Sequence, residues 1–444
     1  MKKTAKALCG ALALCTALGV AGCMKKEDGS IRLTVWVSEA DRPFAREVAD
    51  AFQKAHPDKK YDIVIDIQGE NDVSTRVLND VENAADVYSF INDQISKLIN
   101  GDALAQIAGE RLERVKKANS EGSMDSATIS VGGKTGVYGM PYTDNTFFLY
   151  YNKSVLTETD VASIDGILNK CSAGKKFAYP MKDGWYSSAF YFGKGLGFEV
   201  TYDANLAETN ITCDFDNETG VAVTNAMWEL VKDPRVKGDA DDSKITAGFQ
   251  DGSIIAAATG IWNRKAIEDA LGDNFAAAKL PTYTFNKGTA SEEQVQLVSF
   301  AGYKLMGVNN YSKHKTDAMD FAEFYTNKEN QIKHFEARGF VPTDESARQD
   351  ERIQSDVCAK AITAQLAHTK TQKDVPSTLW VPLEGLGSAM LTGAQTGNFN
   401  LATQLKACVD AIKKTTATQS QDAQPKTMQP QEKSPKGIQS KNAQ

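Results

Sequence analysis

Apolar residues recur at every second position over residues 31–37, then at every third or fourth position from Phe44 onward, and this switch of period repeats along the chain. No other feature limits the fold as strongly. Ile31, Leu33, Val35 and Val37 share one face of a strand. Asp41 and Pro43 carry the start signals of a helix with the stripe Phe44, Val48, Ala51, Phe52 and Ala55, which His56-Pro57 ends. Ile63, Ile65 and Ile67 predict a second strand; Val73, Val77, Leu78 and Val81 a second helix; Asp86 to Ile91 a third strand. A helix with Ile95, Leu98 and Ile99 follows, and Gly101 can cap it. Strands alternating with helices imply parallel βαβ units in an open sheet, the α/β class.

The pattern continues downstream. Residues 146–151 form a continuous apolar run, which suits a central strand covered on both faces. Ala222 to Val231 reads as a helix ending near Asp233-Pro234, Ile254 to Thr259 as a strand, and Trp262 to Leu271 as a helix. Phe300 to Val308 predicts a further strand and Ala318 to Phe335 one long helix. A chain of 444 residues suggests two lobes rather than one. Residues 416–444, rich in Gln, Lys, Ser and Pro and without periodicity, are expected to be a disordered tail.

The N-terminus sets the compartment. Lys2, Lys3 and Lys6 precede the apolar stretch Leu8 to Val20, too short to span a bilayer stably, and Val20-Ala21-Gly22 leads into Cys23. This resembles a bacterial lipoprotein signal. It implies a signal peptide over 1–22, acylation of Cys23, a tether over 23–30, and an extracytoplasmic protein held at the cell surface or in the periplasm by several acyl chains. No other apolar run approaches transmembrane length.

A net charge of −7 argues against nucleic acid as a partner, since phosphate binding needs a basic patch. Of seven cysteines, Cys171, Cys213, Cys358 and Cys408 remain once the signal is removed and Cys23 acylated; four permit two disulfides in three connectivities. None lies in a CxxC pair, against a zinc ribbon or a thioredoxin-like centre. The four histidines form no HExxH and no metal site is expected. Gly132-Gly-Lys-Thr135 lacks the glycine a phosphate loop needs, because position 128 is Thr. Gly193-Lys-Gly-Leu-Gly197 does not match a dinucleotide fingerprint, and no GxSxG elbow is present. No cofactor is implied.

Four segments resemble the extracellular solute-binding proteins of the maltose-binding type, the receptors of sugar ABC importers. They are Leu33-Thr-Val-Trp36-Val; Ala85 to Asp93 with Asn100 to Ile107; Gly139-Met-Pro141 through Tyr151-Asn152-Lys153; and Phe249 to Trp262 with Lys279-Leu-Pro281-Thr. The resemblance covers about residues 31–415. It implies a two-lobe type II binding-protein fold, each lobe an open, mostly parallel sheet flanked by helices. Lobe one would hold 31–142 plus 284–338, and lobe two 143–283 plus 339–415, with hinge crossings near Pro141–Asn145 and Leu280–Thr284. It further implies a non-enzymatic, monomeric receptor that closes on an oligosaccharide, foremost a maltodextrin, and delivers it to permease subunits.

Sugars need aromatic faces for their C–H surfaces and polar groups for their hydroxyls. In the matching segments the candidates are Glu39, Asp41, Phe90, Asp93, Asp144, Asn145, Trp185, Tyr186, Trp262 and Trp380. Lobe two would supply the stacking tryptophans and lobe one the carboxylates. Cys171 and Cys213 share a predicted lobe, as do Cys358 and Cys408, and the disulfides 171–213 and 358–408 are expected. Two rival readings are a glycoside hydrolase using Asp144 and Asp183, and an iron or polyamine receptor, the former suggested by Tyr150-Tyr151.

Overall fold

The computed structural model describes residues 29–131, 134–172, 174 to 204 and 206–415. The expected signal peptide, Cys23, most of the tether and the tail over 416–444 lie outside the described residues. No helix among the described residues is long and apolar enough to cross a membrane.

Two main sheets organise the chain. In the first, the order is Thr369–Thr371, Ser299–Val308, Val87–Ile91, Ile31–Val37 and Tyr61–Ile67, with Met140–Asn145 also paired to Ser299–Val308. Ile31–Val37 runs parallel to Tyr61–Ile67 and to Val87–Ile91, as βαβ connections require. Ser299–Val308 runs antiparallel to Val87–Ile91. The sheet therefore carries a long reversed strand, inserted from far along the chain, and the short Thr369–Thr371 runs parallel to it. Leu33, Val35 and Val37 are buried beneath the Arg42–Ala55 helix, whose Phe44, Val48 and Phe52 fill the same core.

The second sheet has the order Val236–Lys237, Lys176–Ala178, Ile254–Gly260, Phe147–Asn152 and Phe275–Ala278. Phe147, Leu149 and Tyr151 face one apolar core, and Phe148 and Tyr150 face another. The continuous apolar run thus reflects a strand with a core on each side.

Only Thr146 separates Met140–Asn145 in the first sheet from Phe147–Asn152 in the second. Its hydroxyl donates to the Phe300 carbonyl (2.7 Å) and shares a hydrogen bond with Ser299 (2.9 Å). The chain returns near Ser299, later than expected. Residues 282–297 form a hairpin whose Tyr283, Phe285, Val295 and Leu297 join the lobe-two core. Conversely, Thr369–Thr371 adds to the lobe-one sheet although 339–415 was assigned to lobe two.

Two other expectations change. The long helix over 318–335 is two helices, Lys315–Tyr325 and Lys328–Arg338, because the Asn327 side chain caps the second by accepting from Asn330 N–H. Gly339 then adopts φ +77°, which turns the chain so that Phe340 stacks on His334. The four cysteines are free thiols. Cys358 lies in the core on one side of the second sheet and Cys408 on the other, so the expected Cys358–Cys408 pair is blocked by the sheet. Nor is Cys171 bonded to Cys213: its thiol turns back to the Ile167 carbonyl of its own helix.

Candidate functional site

Where the two sheets meet, lobe one contributes a carboxylate. Val87–Ile91 ends in a tight turn, Asn92–Gln94, that carries Asp93. Asp93 as a residue is only partly buried, yet its Oδ1 is shielded and has no hydrogen-bond partner. Oδ2 accepts from Gln372 Nε2 at 3.1 Å. Burial pushes the Asp93 carboxyl up to about 6, with the Gln372 bond and two backbone N–H groups pulling the other way.

Lobe two contributes aromatic rings. Asp183 caps the helix Gly184–Gly193 by accepting from Trp185 N–H (2.8 Å), which seats Trp185 in the first turn. Ile254–Gly260 ends in a short turn, Ile261–Asn263, that carries Trp262. The two indoles lie 5.8 Å apart, tilted by 47°. Trp185 Nε1 donates to Gln372 Oε1 at 2.9 Å, and Trp262 Nε1 donates to Asp242 Oδ2 at 3.0 Å. Asp242 also accepts from Asn263 Nδ2 and Thr259 Oγ1. Both rings are half-buried, so each keeps exposed surface.

The other candidates fall elsewhere. Phe90 is fully buried in the lobe-one core beside Leu305, on the opposite face of its strand from Ser89, and cannot stack on a ligand. Tyr186 is buried too; its ring packs on Phe147 at 4.6 Å and edge-on to Trp185, so it supports the tryptophan rather than offering a face. Trp380 opens the helix Trp380–Thr396, with its half-buried ring against Phe300 and not against the Trp185–Trp262 pair. Glu39 is exposed just after the first strand. Asp144 and Asn145 are buried in Met140–Asn145, and Asp144 is bonded to Arg348 at 2.6 Å. Burial still holds the Asp144 carboxyl up to about 6 against that guanidinium. Tyr150 and Tyr151 are in the sheet core, and no group of residues suited to holding a metal occurs among the described residues.

Asp41 stands at the helix start, as its sequence position predicts, but makes no cap bond. Its carboxylate accepts from Arg338 Nε (2.9 Å), lies 3.2 Å from His334 Nε2 and 3.8 Å from Lys304 Nζ. Lys304 in turn reaches Glu70 at 2.7 Å. Burial alone would raise the Asp41 carboxyl, but Lys304, His334 and Arg338 hold it far below the usual range.

Gln372, Asp242, Lys304 and Arg348 were not foreseen. Asp242 alone left a trace: of the pair Asp241-Asp242 at a helix start, Asp241 makes the cap, and the second acid is left over. A cavity of about 380 Å³ lies along the Tyr61–Ile67 edge, lined by Arg42, Arg46, Asp50 and Asp66 among others. It touches none of the candidate residues, and its rim of separate charges lacks the pairing of acceptor and ring found between the sheets.

Residues 47–361 match the family model described as bacterial extracellular solute-binding protein. The chain belongs to this family. Members are receptors for solutes, not enzymes, and the hydrolase reading is set aside. A solved structure with acarbose is 30% identical, with a TM-score of 0.73, covering 87% of this chain and 99% of that one. A maltodextrin-binding protein of L. casei BL23 superposes with a TM-score of 0.72 at 23% identity, over 87% of this chain and 99% of its own, and shows the shared two-lobe fold. The galactooligosaccharide-binding protein of Bacillus subtilis is 24% identical, over 87% of this chain and 92% of its own. The maltodextrin-binding protein MdxE of the same organism is 25% identical, over 89% of this chain and 94% of its own.

Proposed function

We propose that this solute-binding protein captures an oligosaccharide, foremost a maltodextrin, between its lobes and hands it to the permease subunits of an ABC importer while Cys23 anchors it, as a monomer, to the membrane by lipid. One observation carries the reading: an unpartnered, shielded carboxylate oxygen of Asp93 is joined through Gln372 to the half-exposed Trp185–Trp262 pair. That is the combination a sugar needs, an acceptor for hydroxyls beside a face for C–H groups. Glu39 is the outlying member of the proposed site, and Trp380, packed on Phe300, is left outside it. The similarity to a galactooligosaccharide-binding protein supports a galactooligosaccharide as the second reading.

Calorimetric titration of the soluble fragment 30–415 with maltose, maltotriose and galactotriose tests this. Saturable heat with a maltooligosaccharide is expected; heat with galactotriose alone selects the second reading, and heat with none of them removes the oligosaccharide assignment. For the anchor, Cys23→Ser should release the protein from membranes or leave it unprocessed; a variant that stays membrane-bound without incorporated lipid refutes it.

A further inference from the structure

We propose that Gln372 is the positioning residue of the binding site: its side-chain amide clasps the Asp93 carboxylate of lobe one to the Trp185 indole of lobe two and fixes the acceptor and the stacking face relative to each other. Only the identity of the ligand rests on the oligosaccharide reading; the clasp stands on its own geometry.

The chemistry of the two partners leaves little choice of residue. An indole N–H can only donate, and an ionised carboxylate can only accept. The group between them must accept at one end and donate at the other, and be neutral. Gln does this with Oε1 toward Trp185 (2.9 Å) and Nε2 toward Asp93 (3.1 Å). Glu would set a second carboxyl against Asp93, and Lys or Arg could not accept from the indole.

The backbone of Gln372 is held as firmly as its side chain. Its N–H donates to the Ala301 carbonyl (2.8 Å), and its own carbonyl accepts from Asn92 Nδ2 (2.7 Å). Asn92 Oδ1 accepts in turn from Tyr303 N–H (2.9 Å). Gln372 is 3% exposed. Between Ala301 and Tyr303 stands Gly302, where a β-carbon would come within 2.9 Å of Gln372 Oε1. The glycine keeps clear the oxygen that receives the indole. Gln372 holds Oδ2 of Asp93, while Oδ1 is shielded from solvent and has no hydrogen-bond partner.

The clasp also sets when Asp93 takes up a proton. The groups that stabilise its charge are Gln372 and the backbone N–H groups of Asp93 and Gln94. The charged neighbours on adjoining segments are engaged elsewhere: Lys373 with Asp125 (2.7 Å) and Lys304 with Glu70 (2.7 Å). Tyr303, on the adjacent strand, is held neutral by burial. Removing the Gln372 amide therefore moves Asp93 protonation to higher pH.

The test compares the full-length protein with its Gln372→Leu and Gly302→Ala variants by two readings. The first is the pH dependence of indole fluorescence without sugar, with Trp185→Phe to assign the signal. The wild-type midpoint is expected near 6, and loss of one charge-assisted hydrogen bond should raise it by about one pH unit in Gln372→Leu. The second is affinity for maltotriose and galactotriose at pH 7.5, expected to fall roughly tenfold. Gly302→Ala retains Gln372 but pushes Oε1 off the indole, and should show part of both effects; it decides the matter if Gln372→Leu fails to fold. An unshifted midpoint, or full affinity for a sugar that the wild type binds, overturns the clasp. If the wild type binds neither sugar, the oligosaccharide reading falls and the fluorescence midpoint still decides Gln372.

Discussion

Asp41 follows the first strand of lobe one and Asp93 the third, and each carboxyl is shielded from water. Around Asp41 the protein gathers Lys304, His334 and Arg338, and its charge is held at any ordinary pH. Around Asp93 it offers one neutral amide and two backbone N–H groups, and the carboxyl is lifted to about 6. The lesson is that burial does not decide what an acid is for; its partners do. Surrounded by cations, a carboxylate is a tie between elements. Held by a neutral amide instead of by cations, it can take up and release a proton near neutral pH.

Substitution should separate the two sites most sharply. Asp41→Ala leaves Arg338 without its counter-ion and Lys304 with Glu70 alone, and removing one partner from a buried ion cluster costs about 3–5 kcal/mol. Asp93→Asn removes a charge that burial already penalises and should change unfolding by about 1 kcal/mol or less. Urea unfolding of both variants measures this, and equal losses would erase the distinction.

Next in size is the aromatic side. Trp262→Ala should weaken sugar binding about tenfold or more, from lost ring contact and apolar burial. Trp380→Ala, which removes a ring packed on Phe300, should lower the melting temperature first. Affinity and melting temperature measured together on each variant separate the roles, and the reverse pattern would move Trp380 into the site and Trp262 out of it.

The pH profile sharpens the contrast. Asp93 and Asp144 have folded-state values of about 6 against 3.8 for an ordinary aspartate, so the native chain binds protons first. Their part of the stability therefore rises as pH falls from about 6 toward 4. Asp41, depressed, contributes stability above its unfolded value that is lost only in stronger acid. Sugar affinity should move the opposite way and decline below about pH 6 as Asp93 loses its charge. Stability and affinity that fall together between about pH 7 and 5 would contradict the two roles. The smallest effect is expected from Asp242→Asn, which weakens the bond to Trp262 Nε1: about threefold in affinity, from a fraction of one hydrogen bond.

Periodicity carried most of the fold. Strands whose alternate residues enter one core, such as Ile31–Val37, and the Phe147–Asn152 run between two cores, announce themselves because burial is a local pattern. The break at Asn327 did not, since apolar spacing spans it while a single cap divides it. The proposed site was legible in part. Trp185, Trp262 and Asp93 lie next to recognisable strand and helix ends. Phe90 misled, because position along a strand does not reveal which face a side chain takes when both faces are buried. Gln372 left no mark at all: its partners are 279 and 187 residues away in sequence, and nothing local distinguishes it from a surface glutamine.

The reversed strand Ser299–Val308 has a consequence for how such a chain is made. The first sheet lacks its join between Val87–Ile91 and Thr369–Thr371 until that strand arrives, and the second lobe's core waits for helices as late as Leu401–Ile412. Neither half can close while the C-terminal third is still being synthesised or threaded. Contacts this distant in sequence form slowly. A nascent chain built this way stays loose until nearly all of it is available, the condition that passage through a membrane pore as an extended thread demands. The wiring that joins the lobes also postpones their folding until the chain is nearly whole.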